Sequence, residues 1–283
     1  MCSVSAYSAA DDPLSIKNGL ILRVDAGLSA SYPGTGTTMC DLSGNGNHMH
    51  WSAAAAPLYT TFIGYGVLRT TPVIATLSAI STGTYNNLPM GSQPYSIVVM
   101  FKPNSLAPTR VLVTSPLTGK LNHLMGINEN TRYAGGSSGL GSTWTSSEGV
   151  VPSTSHYVVM VTTFDGTTEK VYIDGVLDKT VTMTPAIPVN GVLGKSASKA
   201  LSPPVTSSNR VVIGCSLDSV ENISVENISV KNTFSETMDA DVAVVMMYNR
   251  ALTASEVVQI YGTYAKRFSV SRTNVSVLGI AYS

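Results

Sequence analysis

Apolar residues in this chain occur in short runs that turn-forming residues separate. The strongest runs have four to eight residues and are rich in β-branched and aromatic side chains, a pattern that predicts buried strands. They occupy 20–24, 96–101, 157–164, 210–213 and 242–248, with weaker runs at 111–113, 121–127 and 131–134. The pattern predicts an all-β chain.

One helix is predicted after the last strong strand. Thr253 and Glu256 have the spacing of a capping box, in which two side chains satisfy each other's free backbone N–H groups. Five apolar residues then follow at helical spacing and form one stripe: Val257, Ile260, Tyr261, Tyr264 and Phe268. A helix with one apolar face must pack against another layer of the protein.

The clearest hairpin lies at 170–182. Asp174 and Gly175 stand between two β-rich segments, and this dipeptide is typical of a type I′ turn because both positions need a positive φ. Many short strands separated by turns, with a single helix near the end, predict an antiparallel two-sheet β-sandwich.

Both faces of the strongest strands are apolar. In 157–164 and in 242–248, residues that point in opposite directions are equally apolar. The outer face of a two-sheet sandwich normally meets water and is polar, so something must cover it here. The C-terminal helix can cover part of that face, and a neighbouring subunit can cover more.

The small number and even balance of charged residues exclude some classes of function. Only 12% of the residues are charged, and 17 basic residues balance 17 acidic ones. Such a chain has no basic field for nucleic acid or for an anionic membrane surface, and its low charge suits a subunit of an assembly. No run is long and apolar enough to span a membrane, and 1–13 lacks the pattern of a signal peptide.

The chain is predicted to contain one domain at 15–268, preceded by an N-terminal arm at 1–14 and followed by a strand-like tail at 269–283. Cys2, Cys40 and Cys215 are odd in number and widely spaced. We therefore expect reduced, partly buried thiols rather than a disulfide framework.

Three segments carry a family resemblance. They are GLILRVDAG with the following SYPGTGTTMCDLSGNGNH, the central FDGTTEKVYIDGVLD and the closing VAVVMMYNRALTASEVVQIY. In this order they resemble laminin-G-like, concanavalin A-like lectin/glucanase jelly rolls of the type found in virion proteins of phages and large DNA viruses. The resemblance implies two curved antiparallel sheets, a concave face that often binds sugars, and sometimes a Ca²⁺ ion at the rim.

The chain departs from the catalytic members of that superfamily. Glycoside hydrolases of this fold carry a Glu-x-Asp-x-Glu strand, which places nucleophile and acid on one face. No such triplet occurs here, and the Asp/Asn/His metal cluster of legume lectins is also absent. We therefore expect no enzymatic activity.

The most distinctive motif runs from Asp41 to His48. Asp41, Asn45 and Asn47 offer oxygen atoms that suit a sugar or a hard cation such as Ca²⁺. In the structural alternative, which we prefer, these side chains cap tight turns whose glycines supply positive φ. The oxygens lack the alternating spacing of a calcium loop. No cofactor is therefore predicted, and Ca²⁺ at Asp41 and Asn45 is the weaker alternative.

Two tryptophans complete the candidate sugar site. Trp51 follows the Asp41 loop, and Trp144 lies in a Gly/Ser-rich stretch at 135–149 that we interpret as an exposed loop. Sugars stack on aromatic rings of this kind. His48 and His50 with Cys40 suggest zinc, but a zinc ion needs four ligands and no second close pair follows.

Two functions remain open. The preferred one is a non-enzymatic structural protein of a virus particle, located in the virion and assembled inside the host cell through contacts with other virion proteins or copies of itself. The alternative is a carbohydrate-binding module that recognises glycans on a host or particle surface. A glycan hydrolase or lyase is disfavoured because the chain lacks a carboxylate pair on one strand.

Overall fold

The computed structural model describes residues 14–51, 57–70, 88–89, 93–107, 109–116, 123–128, 130–137, 145–151, 154–182, 209–213, 216–217, 234–235 and 239–268. These residues form strands and one helix, with these bounds in chain order: β1 (Leu20–Asp25), β2 (Thr38–Met39), β3 (Met49–His50), β4 (Leu58–Phe62), β5 (Tyr65–Thr70), β6 (Tyr95–Pro103), β7 (Thr109–Pro116), β8 (His123–Ile127), β9 (Arg132–Ser137), β10 (Thr145–Val150), β11 (Val158–Phe164), β12 (Thr168–Ile173), β13 (Val176–Thr182), β14 (Asn209–Ile213), β15 (Ser216–Leu217), β16 (Phe234–Ser235), β17 (Ala240–Tyr248) and α1 (Ala254–Phe268).

The strands form two main antiparallel sheets. The larger sheet has eight strands in the order β13-β12-β11-β6-β17-β5-β4, and β1 pairs with β17. The smaller sheet has five strands in the order β10-β9-β8-β7-β14, and β2–β3 and β15–β16 form two short ladders. The predicted antiparallel β-sandwich with one helix is confirmed.

The core between the sheets is built from alternate residues of the central strands. Ile97, Val99 and Phe101 of β6 point into it and meet side chains of the smaller sheet. Phe101 packs edge-on against Tyr133 of β9, with ring centroids 6.0 Å apart. Because β6 lies in the middle of the larger sheet, its inner face is fully enclosed.

Helix α1 covers the outer face of the larger sheet. The five residues of the predicted apolar stripe are all buried there, against β6, β11 and β17. Leu14 is buried in the same layer. The prediction that the C-terminal helix covers part of the outer face is therefore confirmed.

The predicted capping box fixes the start of α1. The Thr253 N–H donates to Glu256 Oε2 at 2.8 Å, and the Glu256 N–H donates to Thr253 Oγ1 at 3.3 Å. Arg250 also donates twice to the Glu256 carboxylate, and this ion pair lowers the pKa of Glu256 to about 2. The turn that links β17 to α1 is thus held at several points.

An enclosed ion pair fixes the end of α1. Arg267 donates to both carboxylate oxygens of Asp25, at 2.7 and 2.9 Å, and both side chains are buried. The approach requires a glycine at position 27, since a Cβ on Gly27 would lie 1.9 Å from the guanidinium. Removing one partner of such a pair leaves a buried charge uncompensated, so this contact locks the helix to β1.

Three sequence-based expectations need correction or extension. The expected loop at 135–149 is wrong at both ends, because β9 extends to Ser137 and β10 begins at Thr145. Pairing within the smaller sheet outweighs the weak strand preference of Ser and Gly there. The hairpin of β4 and β5 was not predicted.

The expectation of reduced thiols also needs correction, because Cys40 is disulfide-bonded. Wide spacing along the chain does not prevent two cysteines from meeting in the fold. Cys2 and Cys215 lie outside the described residues.

No helix within the described ranges has the length and apolar character needed to cross a membrane.

Candidate functional site

The loop after Asp41 was the first candidate site, and its carboxylate is turned inward. Asp41 is 1% exposed. Its two oxygens accept hydrogen bonds from the backbone N–H groups of Arg23, Ser43 and Asn47 at 2.9–3.0 Å, and from Ser43 Oγ at 2.7 Å. A carboxylate has about four lone-pair sites, so these four donors leave none for a sugar or for Ca²⁺.

The two asparagines of the loop serve the edge of β1. Asn47 is buried, and its Nδ2 donates to the Ile21 carbonyl at 2.6 Å. Asn45 is exposed, and its Nδ2 donates to the Leu20 carbonyl at 3.0 Å. These side chains take the place of a neighbouring strand along β1. The geometry supports the structural interpretation of the motif, and a sugar-binding role for Asn45 remains a prediction.

Trp51 lies inside an aromatic cluster. It is 4% exposed and packs edge-on against Tyr32, with ring centroids 5.3 Å apart, and Tyr32 packs in turn against Tyr59 at 5.4 Å. A ring enclosed in this way has no free face for a sugar. Trp144, the other aromatic residue of the predicted sugar site, lies outside the described residues, so the structure does not bring the five predicted residues together.

The histidines near the loop have local partners. His48 Nδ1 accepts from the Asp41 N–H at 3.1 Å, and His50 Nδ1 lies 3.0 Å from Thr38 Oγ1. Burial lowers the pKa of His50. Within the described ranges, no three His, Cys, Asp or Glu side chains are grouped in a way that could hold a metal ion.

Most buried carboxylates also have structural partners. Asp241 accepts two hydrogen bonds from Arg69, at 2.7 and 2.9 Å, and lies 3.2 Å from the Lys102 ammonium. Glu169 is fully buried in the core and accepts from the Tyr95 hydroxyl at 2.9 Å. Carboxyl groups buried with such partners serve the fold and are not available to a ligand.

A different cluster of charged groups lies in the open, where β10 of the smaller sheet meets β13 of the larger one. Its members are Arg132, Glu148, Asp178 and Lys179, and we call this cluster the rim. The Glu148 N–H donates to Asp178 Oδ2 at 2.7 Å, and the Glu148 carboxylate pairs with the Lys179 ammonium. Arg132 donates to the Ser147 carbonyl at 2.9 Å and to the Glu148 carbonyl.

The rim differs from the Asp41 loop in how much of it faces solvent. The Glu148 side chain is 63% exposed and that of Lys179 is 39% exposed. Asp178 is partly buried, and its Oδ1 accepts no hydrogen bond from the described residues. The rim therefore offers acceptors and donors that the fold has not already used.

The two rim carboxyls have opposite pKa shifts. Burial, and next the nearby Glu148 charge, raise the pKa of Asp178, against the hydrogen bond from the Glu148 N–H. The hydrogen bond and the charge of Lys179 lower the pKa of Glu148. No sequence pattern predicts this cluster, because nothing along the chain indicates that the edges of two sheets meet at this point.

The two sheets and their register define a concanavalin A-like β-sandwich. Residues 78–206 match the sequence model of the family Laminin_G_3, described as the Concanavalin A-like lectin/glucanases superfamily. The match confirms the resemblance to laminin-G-like, concanavalin A-like jelly rolls over 78–206, which is less than half of the chain. No curated protein sequence matches the chain.

Solved structures with the same fold include domain 4 of AbnA, a GH43 extracellular arabinanase of Geobacillus stearothermophilus, in complex with arabinotriose. The match has a TM-score of 0.52 and 14% identity and covers 86% of this chain and 98% of that domain. The botulinum neurotoxin serotype D binding domain matches with a TM-score of 0.54 and 13% identity, over 88% of this chain and 53% of the other.

A Trypanosoma rangeli sialidase in complex with 2,3-difluoro-KDN matches with a TM-score of 0.50 and 12% identity, over 89% of this chain. The chain spans about a third of the length of that sialidase, 34%. At these identities the comparisons show the fold alone.

Proposed function

We propose that the chain is a non-catalytic, lectin-like module that binds glycans, and that the rim is its contact surface. The observation that carries the proposal is the state of the rim: carboxylate, ammonium and guanidinium groups lie side by side and are partly exposed. The Asp41 loop, by contrast, has its carboxylate filled by internal donors.

The chemistry of the rim suits a polyhydroxylated ligand. Each sugar hydroxyl donates one hydrogen bond and accepts others, so a pair of neighbouring hydroxyls matches a carboxylate next to a cation. Hydrogen bonds that involve an ionised partner are roughly twice as strong as neutral ones. Asp178 and Glu148 supply acceptors, and Lys179 and Arg132 supply donors.

The comparisons support the choice of ligand class. The AbnA domain was solved with arabinotriose, and this chain has the same fold over nearly the whole of that domain. The neurotoxin relative is a binding domain. A non-catalytic role is supported by the sequence, which lacks the Glu-x-Asp-x-Glu strand that glycoside hydrolases of this fold carry.

A glycan array followed by calorimetric titration tests the proposal. We expect a glycan to bind, and Asp178→Asn or Glu148→Gln to weaken its binding by about tenfold or more, since a hydrogen bond to a charged group contributes about 1.5–3 kcal/mol. Asp239→Asn is the matched control, because this carboxylate precedes β17, away from the rim. The absence of any glycan binding at millimolar concentration contradicts the proposed function, whereas binding unchanged by the rim variants contradicts only the assignment of the site.

The pH dependence of binding is a second readout. Asp178 accepts hydrogen bonds from hydroxyls best as a carboxylate, and its pKa is raised by burial. Binding should therefore weaken as the pH falls, beginning above the ordinary range of an aspartate. Asp178→Asn should remove that part of the pH profile, and Asp239→Asn should leave it in place.

A structural role in a virus particle is a second proposal, with the virion as location and other virion proteins or copies of the chain as partners. It is favoured by apolar side chains exposed at both ends of the larger sheet, among them Leu58 and Val176, on a chain with few charges. The apolar outer face of the larger sheet does not by itself argue for this role, because α1 covers part of it. Mass spectrometry of purified particles decides: a high copy number supports the role, and absence from particles contradicts it.

A further inference from the structure

Three asparagines of this chain are followed directly by glycine, at Asn18, Asn45 and Asn190. An asparagine in this position can lose its side-chain amide without an enzyme, because glycine has no side chain to shield its backbone nitrogen. Asn18 and Asn45 lie in the part of the chain that the structure describes, and Asn190 lies outside it. Since both described sites share the same dipeptide, a difference in their reactivity comes mainly from the fold.

The reaction requires the side-chain carbonyl carbon of asparagine to reach the nitrogen of the next residue. The glycine nitrogen gives up its proton and bonds to Cγ, the bond from Cγ to Nδ2 breaks, and ammonia leaves. Water then opens the cyclic imide at either of its two carbonyls, which yields aspartate or isoaspartate. Water is the only reactant consumed. An amide that is hydrogen-bonded elsewhere must first release its partners.

The fold holds Asn45 away from this reaction. Its Nδ2 donates to the Leu20 carbonyl at 3.0 Å and to Ser43 Oγ at 2.9 Å, and its backbone N–H donates to the same hydroxyl at 3.2 Å. On the other side of Gly46, the Asn47 N–H donates to Asp41 at 3.0 Å. Cyclisation at Asn45 therefore has to break contacts that fix the loop to β1.

The side chain of Asn18 is held by nothing comparable. Asn18 is exposed, and its side chain forms no hydrogen bond within the described part of the chain. Asn18 and Gly19 are the central residues of a turn that the Leu20 N–H closes on the Lys17 carbonyl at 3.1 Å, with Gly19 at a φ of +76°. The amide can turn toward the Gly19 nitrogen without breaking a hydrogen bond of its own.

We infer that Asn18 is a site of spontaneous deamidation, and that its conversion loosens the turn before β1 from the turn before α1. The Asn18 carbonyl accepts from Arg250 Nε at 2.9 Å, and the Gly19 carbonyl accepts from the Asn249 N–H at 2.9 Å. Arg250 also pairs with Glu256 at the start of α1.

The isoaspartate product disturbs both of these contacts. Its main chain runs through Cβ and Cγ and is longer, and the carbonyl that accepts from Arg250 becomes part of a side-chain carboxylate. The rim shares no residue with this turn, so the inference does not depend on the proposed glycan binding.

Peptide mapping by mass spectrometry, with isoaspartate quantified at each site, tests the inference on the full chain incubated at mildly alkaline pH. We expect Asn18 to convert about tenfold faster than Asn45 or more, since hydrogen bonds must break first at Asn45. The same chain in concentrated urea is the matched control, and there the two sites should react at similar rates. Equal rates in the folded chain overturn the inference, and so does a folded chain in which Asn18 stays intact while the unfolded chain converts.

Asn18→Gln tests the structural consequence. Glutamine keeps the amide but would have to close a larger ring, so this variant should stay unmodified at position 18 during the incubation. Incubated wild type should then unfold at a lower urea concentration than fresh protein, and incubated Asn18→Gln should not. A converted wild type that is as stable as fresh protein overturns the proposed loosening, and so does an equal loss of stability in the variant.

Discussion

Two hairpins at opposite ends of the larger sheet make the same turn with different residues. Asp174 and Gly175 join β12 to β13 with φ values of +51° and +78°, and Ile63 and Gly64 join β4 to β5 with +50° and +81°. Both are two-residue turns of the type I′ kind, whose twist matches that of the strands. Their surroundings, however, are almost opposite.

The Asp174 hairpin is tied into the fold. Asp174 is 6% exposed; its N–H donates to the Val159 carbonyl and its Oδ1 accepts from the Val159 N–H, both at 2.9 Å. The side chain thereby adds one more rung to the ladder between β11 and β12. Gly175 lies directly under the helix, since a Cβ there would lie 3.1 Å from Tyr261. Local preference and tertiary structure agree at this turn.

At the other hairpin, the two turn residues Ile63 and Gly64 lack such ties, although Phe62 and Tyr65 beside them pack against Phe268 of α1. Ile63 is largely exposed, and a Cβ on Gly64 would meet nothing within 4 Å. Its turn is fixed by the register of β4 and β5 and by Phe62, which packs against Tyr157 with ring centroids 5.0 Å apart. The fold therefore imposes on Ile63 a conformation that its own chemistry disfavours, whereas at Asp174 the residue and the fold agree.

The largest loss in the free energy of unfolding is expected for Asp174→Ala. Asp174→Ala leaves the buried Val159 N–H without its acceptor, which costs about 1–3 kcal/mol, and places alanine in the left-handed region, which costs about 1 kcal/mol more. Chemical denaturation should show a loss of about 2–4 kcal/mol in the free energy of unfolding. Asp174→Asn retains an acceptor and tolerates the turn, so it should lose clearly less; equal losses would mean that the Val159 contact contributes little.

The strands and the helix could be predicted because their local chemistry agrees with the fold. The apolar runs at 96–101 and 242–248, the Asp174-Gly175 turn and the stripe of α1 all serve the core that contains them. The cover of the outer face followed from strands that are apolar on both sides. The β4–β5 hairpin was missed because Ile63 gives no turn signal, and β10 was missed because Ser and Gly have weak strand preference.

The candidate site was harder to predict from the sequence than the strands and the helix. Asp41, Asn45 and Asn47 attracted attention because short polar side chains with glycines between them are typical of both binding loops and tight turns. In the structure, Asp41 and Asn47 form hydrogen bonds with the backbone of β1. The rim brings together Arg132, Glu148 and Asp178 from β9, β10 and β13, and the meeting of these sheet edges is a property of tertiary structure alone.

The next largest loss in stability is expected for one of two matched glycine substitutions. Gly175→Ala and Gly64→Ala impose nearly the same backbone strain, about 1 kcal/mol, because the two φ values differ by little. At Gly175 the added methyl group also meets Tyr261, where overpacking costs typically 1–3 kcal/mol. Thermal unfolding should therefore show a larger loss for Gly175→Ala by about 1–2 kcal/mol. Equal losses would mean that α1 shifts freely over this hairpin.

The smallest change in the free energy of unfolding is expected for Ile63→Asn, and this substitution should stabilise the protein rather than destabilise it. Ile63→Asn replaces a β-branched residue in the left-handed region by one that adopts this region readily, and it creates the Asn-Gly dipeptide typical of the turn. Since Ile63 is already 60% exposed, little burial is lost, and the free energy of unfolding should rise by about 0.5–1 kcal/mol. Chemical denaturation measures this change. A destabilised variant would show that Ile63 supports its own fold, and the contrast between the two hairpins would then lie in exposure alone.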